Sequence, residues 1–475
     1  MDKLLYTLLF SSLLLGVASC EDKNEIKLPD ISVGFSATEI GYDGSNASED
    51  ISITLSRASV VAITAEITIA TTDVEYGNHF TTTPAASANK LSVEIPAGQT
   101  SASFSVAAVE DILFEGEESI TFTISSLSVI ERVKIGDKRE SILKFGAIIS
   151  AGETMILNGK TEEEVYFNSV YVDFSSNRQV LVPRKSWHLG FWCGSEFLVS
   201  INGANSMAAT PSAKTDIAAV TEADADVLLS TEFDLNTNPM SALPPSESAF
   251  DSSDGKLAGL AFGPISATDA DNAVYFVASG DDKVSGSTAE WYKVKITRKG
   301  SGYNIKYAKV GSTDIKSVDI PKKEGYNFTF FSLVSGVVVD VEAEATKWDI
   351  KWSYDAGYST SMAAPMYMFM QDFVSINNLG GASVARVEIS GGVTFDSFGA
   401  SGIAALTFSS DRDFIGDRWR SVGGMGGAVA GVKTDHFYVL KDPAGNHYKF
   451  RFTRFGVNSD GTERGRPEVE YKLIN

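Results

Sequence analysis

Leu91-Ser92-Val93-Glu94-Ile95-Pro96-Ala97-Gly98-Gln99-Thr100-Ser101-Ala102-Ser103-Phe104-Ser105-Val106 reads as two β-strands around a turn. Apolar side chains fall on every second position, at Leu91, Val93 and Ile95 and again at Ala102, Phe104 and Val106. Successive side chains of an extended chain point to opposite faces, so this spacing sends one face into a core and leaves the other, rich in serine, in water. The intervening Pro-Ala-Gly-Gln carries turn chemistry, because proline fixes its own φ and glycine accepts conformations closed to other residues.

The same period extends in both directions, through Ile51, Ile53 and Leu55 upstream and Ile120, Phe122 and Ile124 downstream. Later hairpins are legible too. Val294 and Ile296 lead through Lys299-Gly300-Ser301-Gly302 to Tyr303, Ile305 and Tyr307, and Phe437 and Val439 lead through Asp442-Pro443-Ala444-Gly445-Asn446 to Tyr448, Phe450 and Phe452. No long segment spaces its apolar residues by three and four. The expected fold is all-β, with antiparallel sheets wet on one face: an N-terminal Ig-like β-sandwich followed by a larger antiparallel all-β domain.

The first residues follow a secretory grammar, with Lys3 ahead of an apolar run from Leu4 to Val17 that is too short to span a bilayer comfortably. The run ends in Val17-Ala18-Ser19-Cys20, which resembles the lipobox of bacterial lipoproteins. The expectation is a signal peptide over residues 1–19, a lipid on Cys20 and an acidic tether over 20–29 that resembles a surface-export signal. An ordinary signal peptide with an incidental cysteine is the alternative. Each buried CH₂ of the lipid contributes about 0.8 kcal/mol, so the anchor would hold without a transmembrane helix. The expected location is the outer membrane, lipid-anchored at the cell surface.

Only two cysteines occur in the 475 residues, so acylation of Cys20 would leave Cys193 without a disulfide partner. A net charge of −21 argues against nucleic acid or anionic lipid as partners, since both reward clustered lysine and arginine. Contact with the membrane is expected through the lipid anchor alone.

The first domain is expected over residues 30–145. Tyr76-Gly77-Asn78-His79-Phe80, then Ile95-Pro96-Ala97-Gly98-Gln99-Thr100, then Val109-Glu110-Asp111-Ile112-Leu113-Phe114-Glu115-Gly116-Glu117-Glu118 occur in an order that resembles a Calx-beta domain. Clustered carboxylate oxygens suit a hard cation, which makes Asp111, Glu115, Glu117 and Glu118 candidate calcium ligands. The sequence departs from the family where Gly77-Asn78-His79-Phe80 replaces Gly-x-Asp-Tyr and where the acidic run shrinks to Glu110-Asp111. A solvated acidic loop on a spacer domain is the alternative.

The remainder, residues 146–475, carries Ser186-Trp187-His188-Leu189-Gly190-Phe191 and Phe197-Leu198-Val199-Ser200-Ile201-Asn202-Gly203, echoed by Lys347-Trp348-Asp349-Ile350-Lys351-Trp352. With Ile415-Gly416-Asp417-Arg418-Trp419-Arg420 and Tyr448-Lys449-Phe450-Arg451-Phe452 this resembles the HmuY-type haem-binding lipoproteins, interrupted by an insertion at about 228–326. The resemblance implies haem capture and, as partners, haem or host haemoproteins and a TonB-dependent outer-membrane receptor. It places axial ligands on two loops after the Asn-Gly strand, which points to Met207 and Met240. A thioether is neutral and soft, so such a pair would favour ferrous over ferric haem. Both methionines sit among small polar residues without strand periodicity; ordinary gap-filling is the alternative.

Other candidates are weaker. Met366, Met368 and Met370 share one strand face and read as core, His188 as a hydrogen-bonded structural residue, His436 and His447 as neighbours across a hairpin, and Cys193 as a buried free thiol. Neither a Gly-x-Ser-x-Gly elbow, nor His-Glu-x-x-His, nor a phosphate-binding glycine loop occurs, so an enzyme is not expected and no catalytic residue is assigned. A glycan- or protein-binding surface lipoprotein or adhesin that keeps the scaffold without haem is the alternative function.

Overall fold

A computed structural model describes residues 29–42, 48–109, 118–145, 150–229, 247–279, 287–359, 366–423, 429–457 and 460–474. Cys20, Met240, Asp111, Glu115 and Glu117 lie outside the described residues.

Residues 31–145 form two five-stranded sheets. One runs Phe80–Thr83, Ser101–Ala108, Glu49–Leu55, Ile31–Phe35, Val133–Ile135; the other runs Glu39–Tyr42, Glu140–Phe145, Ser119–Leu127, Ile63–Thr72, Lys90–Ile95. The alternating positions supply the core: Ile51, Ile53, Leu91, Val93, Ile95, Phe104, Ile120, Phe122 and Ile124 are all buried in one cluster. Each such aliphatic or aromatic side chain contributes about 1.5–3 kcal/mol by leaving water. The Pro96–Gln99 turn does not close a hairpin. Lys90–Ile95 pairs with Ile63–Thr72 in one sheet and Ser101–Ala108 pairs with Glu49–Leu55 in the other, so the turn arches between layers. Gly98 supplies the sharp change of direction with φ of +84° and donates its N–H to Ser59 O at 2.8 Å.

The described residues of the rest of the chain build four further sheets of four or five strands. One is ordered Gly152–Ile156, Glu468–Leu473, His447–Arg454, His436–Lys441, Ser383–Glu388. It packs on a second, Arg178–Pro183, Asn168–Asp173, Ile350–Ser359, Met366–Ile376, through Phe174, Trp352, Trp419, Phe450 and Tyr471. A third consists of Val199–Ile201, Leu189–Trp192, Phe328–Ser332 and Val337–Val339. The fourth is Ala208–Pro211, Val274–Ala278, Tyr292–Lys299, Gly302–Lys309, Lys316–Ile320, so the stretch read as an insertion supplies most of a sheet of its own. Both expected hairpins form: Ile296 faces Ile305 around Gly300-Ser301, and Lys441 faces His447 around Asp442–Asn446. Helix is sparse, with Glu222–Leu229 and scattered 3-10 turns.

The two parts touch. Arg466, 1% exposed, donates from Nη2 to Leu55 O at 2.8 Å and to Asn158 Oδ1 at 2.9 Å. No helix among the described residues is long and apolar enough to cross a membrane.

Candidate functional site

Two tryptophans and two asparagines organise the space between the second and third sheets of the larger part. Asn202, fully buried, donates its amide to Arg184 O at 2.7 Å and Trp187 O at 2.8 Å. Asn377, 1% exposed, does the same for Ala345 O at 2.7 Å and Trp348 O at 2.8 Å. The echo seen in the sequence is therefore a repeated device. An asparagine after a strand holds the carbonyl of a tryptophan that opens another, satisfying a backbone acceptor the ladder leaves over. The residue after each tryptophan also serves the backbone: His188 Nδ1 accepts Leu333 N–H at 3.2 Å, and the Asp349 carboxylate accepts Phe174 N–H at 2.7 Å. His188 is thus a structural residue, as expected.

The tryptophans meet across the sheets in an aromatic cluster. Trp187 packs edge-on to Phe330 with centroids 4.6 Å apart, and Trp348 edge-on to Tyr171 at 5.0 Å. These rings line a cavity of about 120 Å³, bordered also by Asp251, Ser252, Gly255, Leu257 and Leu260.

The cavity also holds charge. Asp355, 1% exposed, lies 2.5 Å from Lys351 Nζ and 3.4 Å from Arg412 Nη1, and accepts Ala356 N–H at 2.8 Å. Burial opposes its ionisation, but the two cations outweigh burial and hold the carboxyl below its ordinary range. Asp251 accepts Ile201 N–H at 2.9 Å and Ala261 N–H at 2.8 Å, yet burial pushes its carboxyl up to about 7. Burial likewise raises Glu342 to about 8, against the Lys351 charge and a hydrogen bond from the Phe328 backbone. Among the lining residues, Trp348 Nε1, Ser375 Oγ and Glu342 Oε1 are buried polar atoms with no hydrogen-bond partner in the protein.

Met207 lies elsewhere. Ser206 adopts the left-handed conformation, φ +51°, and swings the chain into the strand Ala208–Pro211. That turn delivers Met207, 0% exposed, into a core with Leu189, Phe191, Ile201, Val277 and Phe331. Its sulfur accepts Asn205 Nδ2–H at 3.7 Å. The expectation that this loop offers a methionine little core to fill is overturned: the strand that follows brings a sheet face to it. The chain bearing Met240 returns at Glu247–Ala249, a turn packed on Ala208–Pro211.

The remaining candidates are placed as follows. Glu118 is half-buried at the start of Ser119–Leu127, where its carbonyl accepts Phe145 N–H at 3.1 Å. Among the described residues no group of acidic, histidine and cysteine side chains is arranged to hold a metal ion. Met370 is buried and Met368 half-buried on the strand paired with Ile350–Ser359. His436 and His447 are not neighbours: His447 faces Lys441, while the His436 ring bonds Asp435 Oδ1 at 2.6 Å and Tyr438 Oη at 3.0 Å. Cys193 is a free thiol, half-buried rather than fully so, with Sγ 3.4 Å from Thr329 Oγ1.

The sequence reading missed the cavity. Its polar groups come from stretches far apart in the chain, from Ser200 to Arg412, and Ser375 and Glu342 look locally like any polar residue in a strand pattern. The paired Trp and Asn motifs were the available signal.

No curated protein matches the chain. Among solved structures, the apo form of the Calx CBD1 domain is 15% identical over 24% of this chain and 96% of its own, with a TM-score of 0.21. A putative carbohydrate binding protein from Bacteroides ovatus is 11% identical over 94% of this chain and 98% of its own, with a TM-score of 0.18. A two-domain protein of unknown function from Bacteroides fragilis is 11% identical over 27% of this chain and 53% of its own, also at 0.18. Scores this low are too slight to build on. The HmuY protein family, by contrast, matches residues 165–471, well over half of the chain, and the chain belongs to that family.

Proposed function

We propose that this protein is a lipid-anchored surface capture protein of the HmuY family that holds a small organic ligand in the inter-sheet cavity without transforming it. The observation that supports it best is a cavity bordered by Trp187, Trp348, Tyr171 and Phe330, with three lining residues, Trp348, Ser375 and Glu342, that each carry a buried polar atom the fold leaves unpaired. Concave, mostly apolar sites with a few convergent polar groups are the usual form of a small-molecule seat. In this reading residues 1–19 are the signal peptide, Cys20 bears the lipid, and the Calx-beta-like sandwich over 30–145 holds the binding part, 146–475, away from the membrane.

The test is ligand-observed NMR with a set of neutral, small organic fragments, on the wild type and on Ser375→Phe, whose added ring fills the cavity. Overpacking of this kind costs about 1–3 kcal/mol, so thermal melting accompanies the assay to show that the variant is folded. Fragments that bind the wild type and are lost from the folded variant support the cavity as the seat. Fragments that bind both alike overturn it.

Haem capture is the second reading, favoured by family membership over residues 165–471. Ligation through Met207 requires its side chain to leave the core and exchange the Asn205 hydrogen bond for iron. Exposing such a side chain costs about 1.5–3 kcal/mol, which lowers apparent affinity roughly 10- to 150-fold. An absorption titration with ferric and ferrous haem on the wild type, Met207→Leu and Met240→Leu decides it. A Soret shift stronger in the reduced state and lost in either variant establishes the two-sulfur site. Identical titrations in all three proteins remove the methionines from it.

A further inference from the structure

Three residues that line the cavity each carry a buried polar atom the protein leaves unpaired, and those atoms differ in kind. Trp348 Nε1 only donates, Ser375 Oγ donates and accepts, and Glu342 Oε1 accepts when ionised and shares a proton when not. Trp348 is 8% exposed and Ser375 1%, so neither is served by bulk solvent, and leaving such groups unpaired is costly. An anion would call for donors alone and a cation for acceptors alone. Both cations at the site, Lys351 and Arg412, are already committed to Asp355.

Size and surface narrow the choice further. About 120 Å³ is below the roughly 300–1,000 Å³ of sites that engulf drug-sized ligands, which suits one small ring. The cavity lining includes the aromatic side chains of Trp187, Trp348, Tyr171 and Phe330. Aromatic walls beside mixed donors and acceptors suit a compact molecule with an apolar C–H face and hydroxyls around its rim, because each hydroxyl both donates and accepts.

We propose that the inter-sheet cavity binds a single neutral, polyhydroxylated ring, a free monosaccharide or the end of a glycan, with Trp348 Nε1, Ser375 Oγ and Glu342 Oε1 as its hydrogen-bonding groups. This rests on the cavity being the ligand seat.

The experiment is a titration of the full mature chain, free of haem, with glucose, galactose, mannose and N-acetylglucosamine, read by tryptophan emission and calorimetry, together with a neutral-glycan array. At least one sugar produces a saturable signal. Free sugars as effective as arrayed glycans identify the monosaccharide as the ligand, and glycans bound more tightly identify a chain end. Ser375→Ala and Trp348→Phe each remove one hydrogen bond and weaken binding by about 3- to 10-fold. Ser375→Ala leaves the melting temperature of the free protein unchanged or raised, because it deletes an atom the fold does not pair; a merely structural serine would lower it. Met207→Leu binds sugar like the wild type. Absence of a saturable signal with every sugar and glycan overturns the proposal, as does binding unaffected by both cavity variants. If neutral fragments still bind and are displaced by Ser375→Phe, the seat stands and only the ligand class falls.

Discussion

The N-terminal sandwich and the HmuY-family part both bury sheet faces, but they fill them with different chemistry. In the described residues of the sandwich the buried polar side chains are Glu49, Ser59, Thr82 and Ser141, around a continuous core of Ile, Val, Leu and Phe. The larger part buries Asp349, Lys351, Asp355, Asp372, Arg420 and Arg466 among its aromatics. A buried ion pair is often no more stabilising than an apolar replacement, because desolvation offsets the Coulomb attraction. Stability alone does not account for gathering Lys351, Asp355 and Arg412 at one cavity. A spacer needs only the first kind of interior, and a recognition site needs the second.

The sharpest way to break this contrast is to damage each interior in its own terms. Asp355→Ala leaves Lys351 and Arg412 without their counter-ion, a class of change that costs about 3–5 kcal/mol, and it should abolish ligand binding as well. Phe122→Ala in the sandwich should cost a similar ~3–5 kcal/mol through the cavity it leaves. Ligand affinity of the protein that remains folded should then be unchanged. Denaturant unfolding and calorimetric titration measure the two quantities separately. A Phe122→Ala protein that is folded and fails to bind would show that the sandwich belongs to the site.

The two interiors should also differ in their response to pH. Glu342 holds its proton in the folded protein up to about 8, and Asp251 up to about 7, whereas the unfolded chain releases both near 4 to 4.5. Within that window the folded state binds more protons than the unfolded one, so stability falls as pH rises from about 5 toward 8. The slope is about 1.4 kcal/mol per pH unit for each proton. Glu342→Gln removes one proton from the balance and flattens the dependence. Melting temperatures from pH 5 to 8 for the wild type and Glu342→Gln test this, and parallel curves would refute it.

How much of this was legible in the sequence depended on range. Period-2 alternation fixed the sandwich strands, and the Gly300-Ser301 and Asp442–Asn446 turns fixed two hairpins, because those signals are complete within about fifteen residues. The Pro96–Gln99 turn announced a reversal but not its partners. Whether a turn closes a hairpin or arches between layers is settled by distant strands, here Glu49–Leu55 and Ile63–Thr72. Met207 looked stranded in a polar loop because the sheet that covers it is assembled from residues as far away as Phe331. The cavity was hidden for the same reason, although the Trp187 and Trp348 motifs that frame it were visible. A volume-conserving Met207→Leu should cost less than about 1.5 kcal/mol if the methionine is core filler.

The smallest expected effect compares one kind of ion pair in the two settings. Lys90 Nζ lies 3.6 Å from Glu66 on the outer face of the sandwich, with both side chains about half exposed, while Lys351 Nζ lies 2.5 Å from a sealed Asp355. Water screens the first pair, and two long side chains lose freedom to form it, so Lys90→Ala should change stability by no more than about 0–1 kcal/mol. A double-mutant cycle on Lys90 and Glu66 should give a coupling near the bottom of that range, diminished by salt. The corresponding cycle on Lys351 and Asp355 should give a coupling several times larger and less dependent on salt, because both partners are largely buried. Equal couplings would mean that water enters the inter-sheet cavity freely, and the aromatic walls would then be no barrier around the ligand seat.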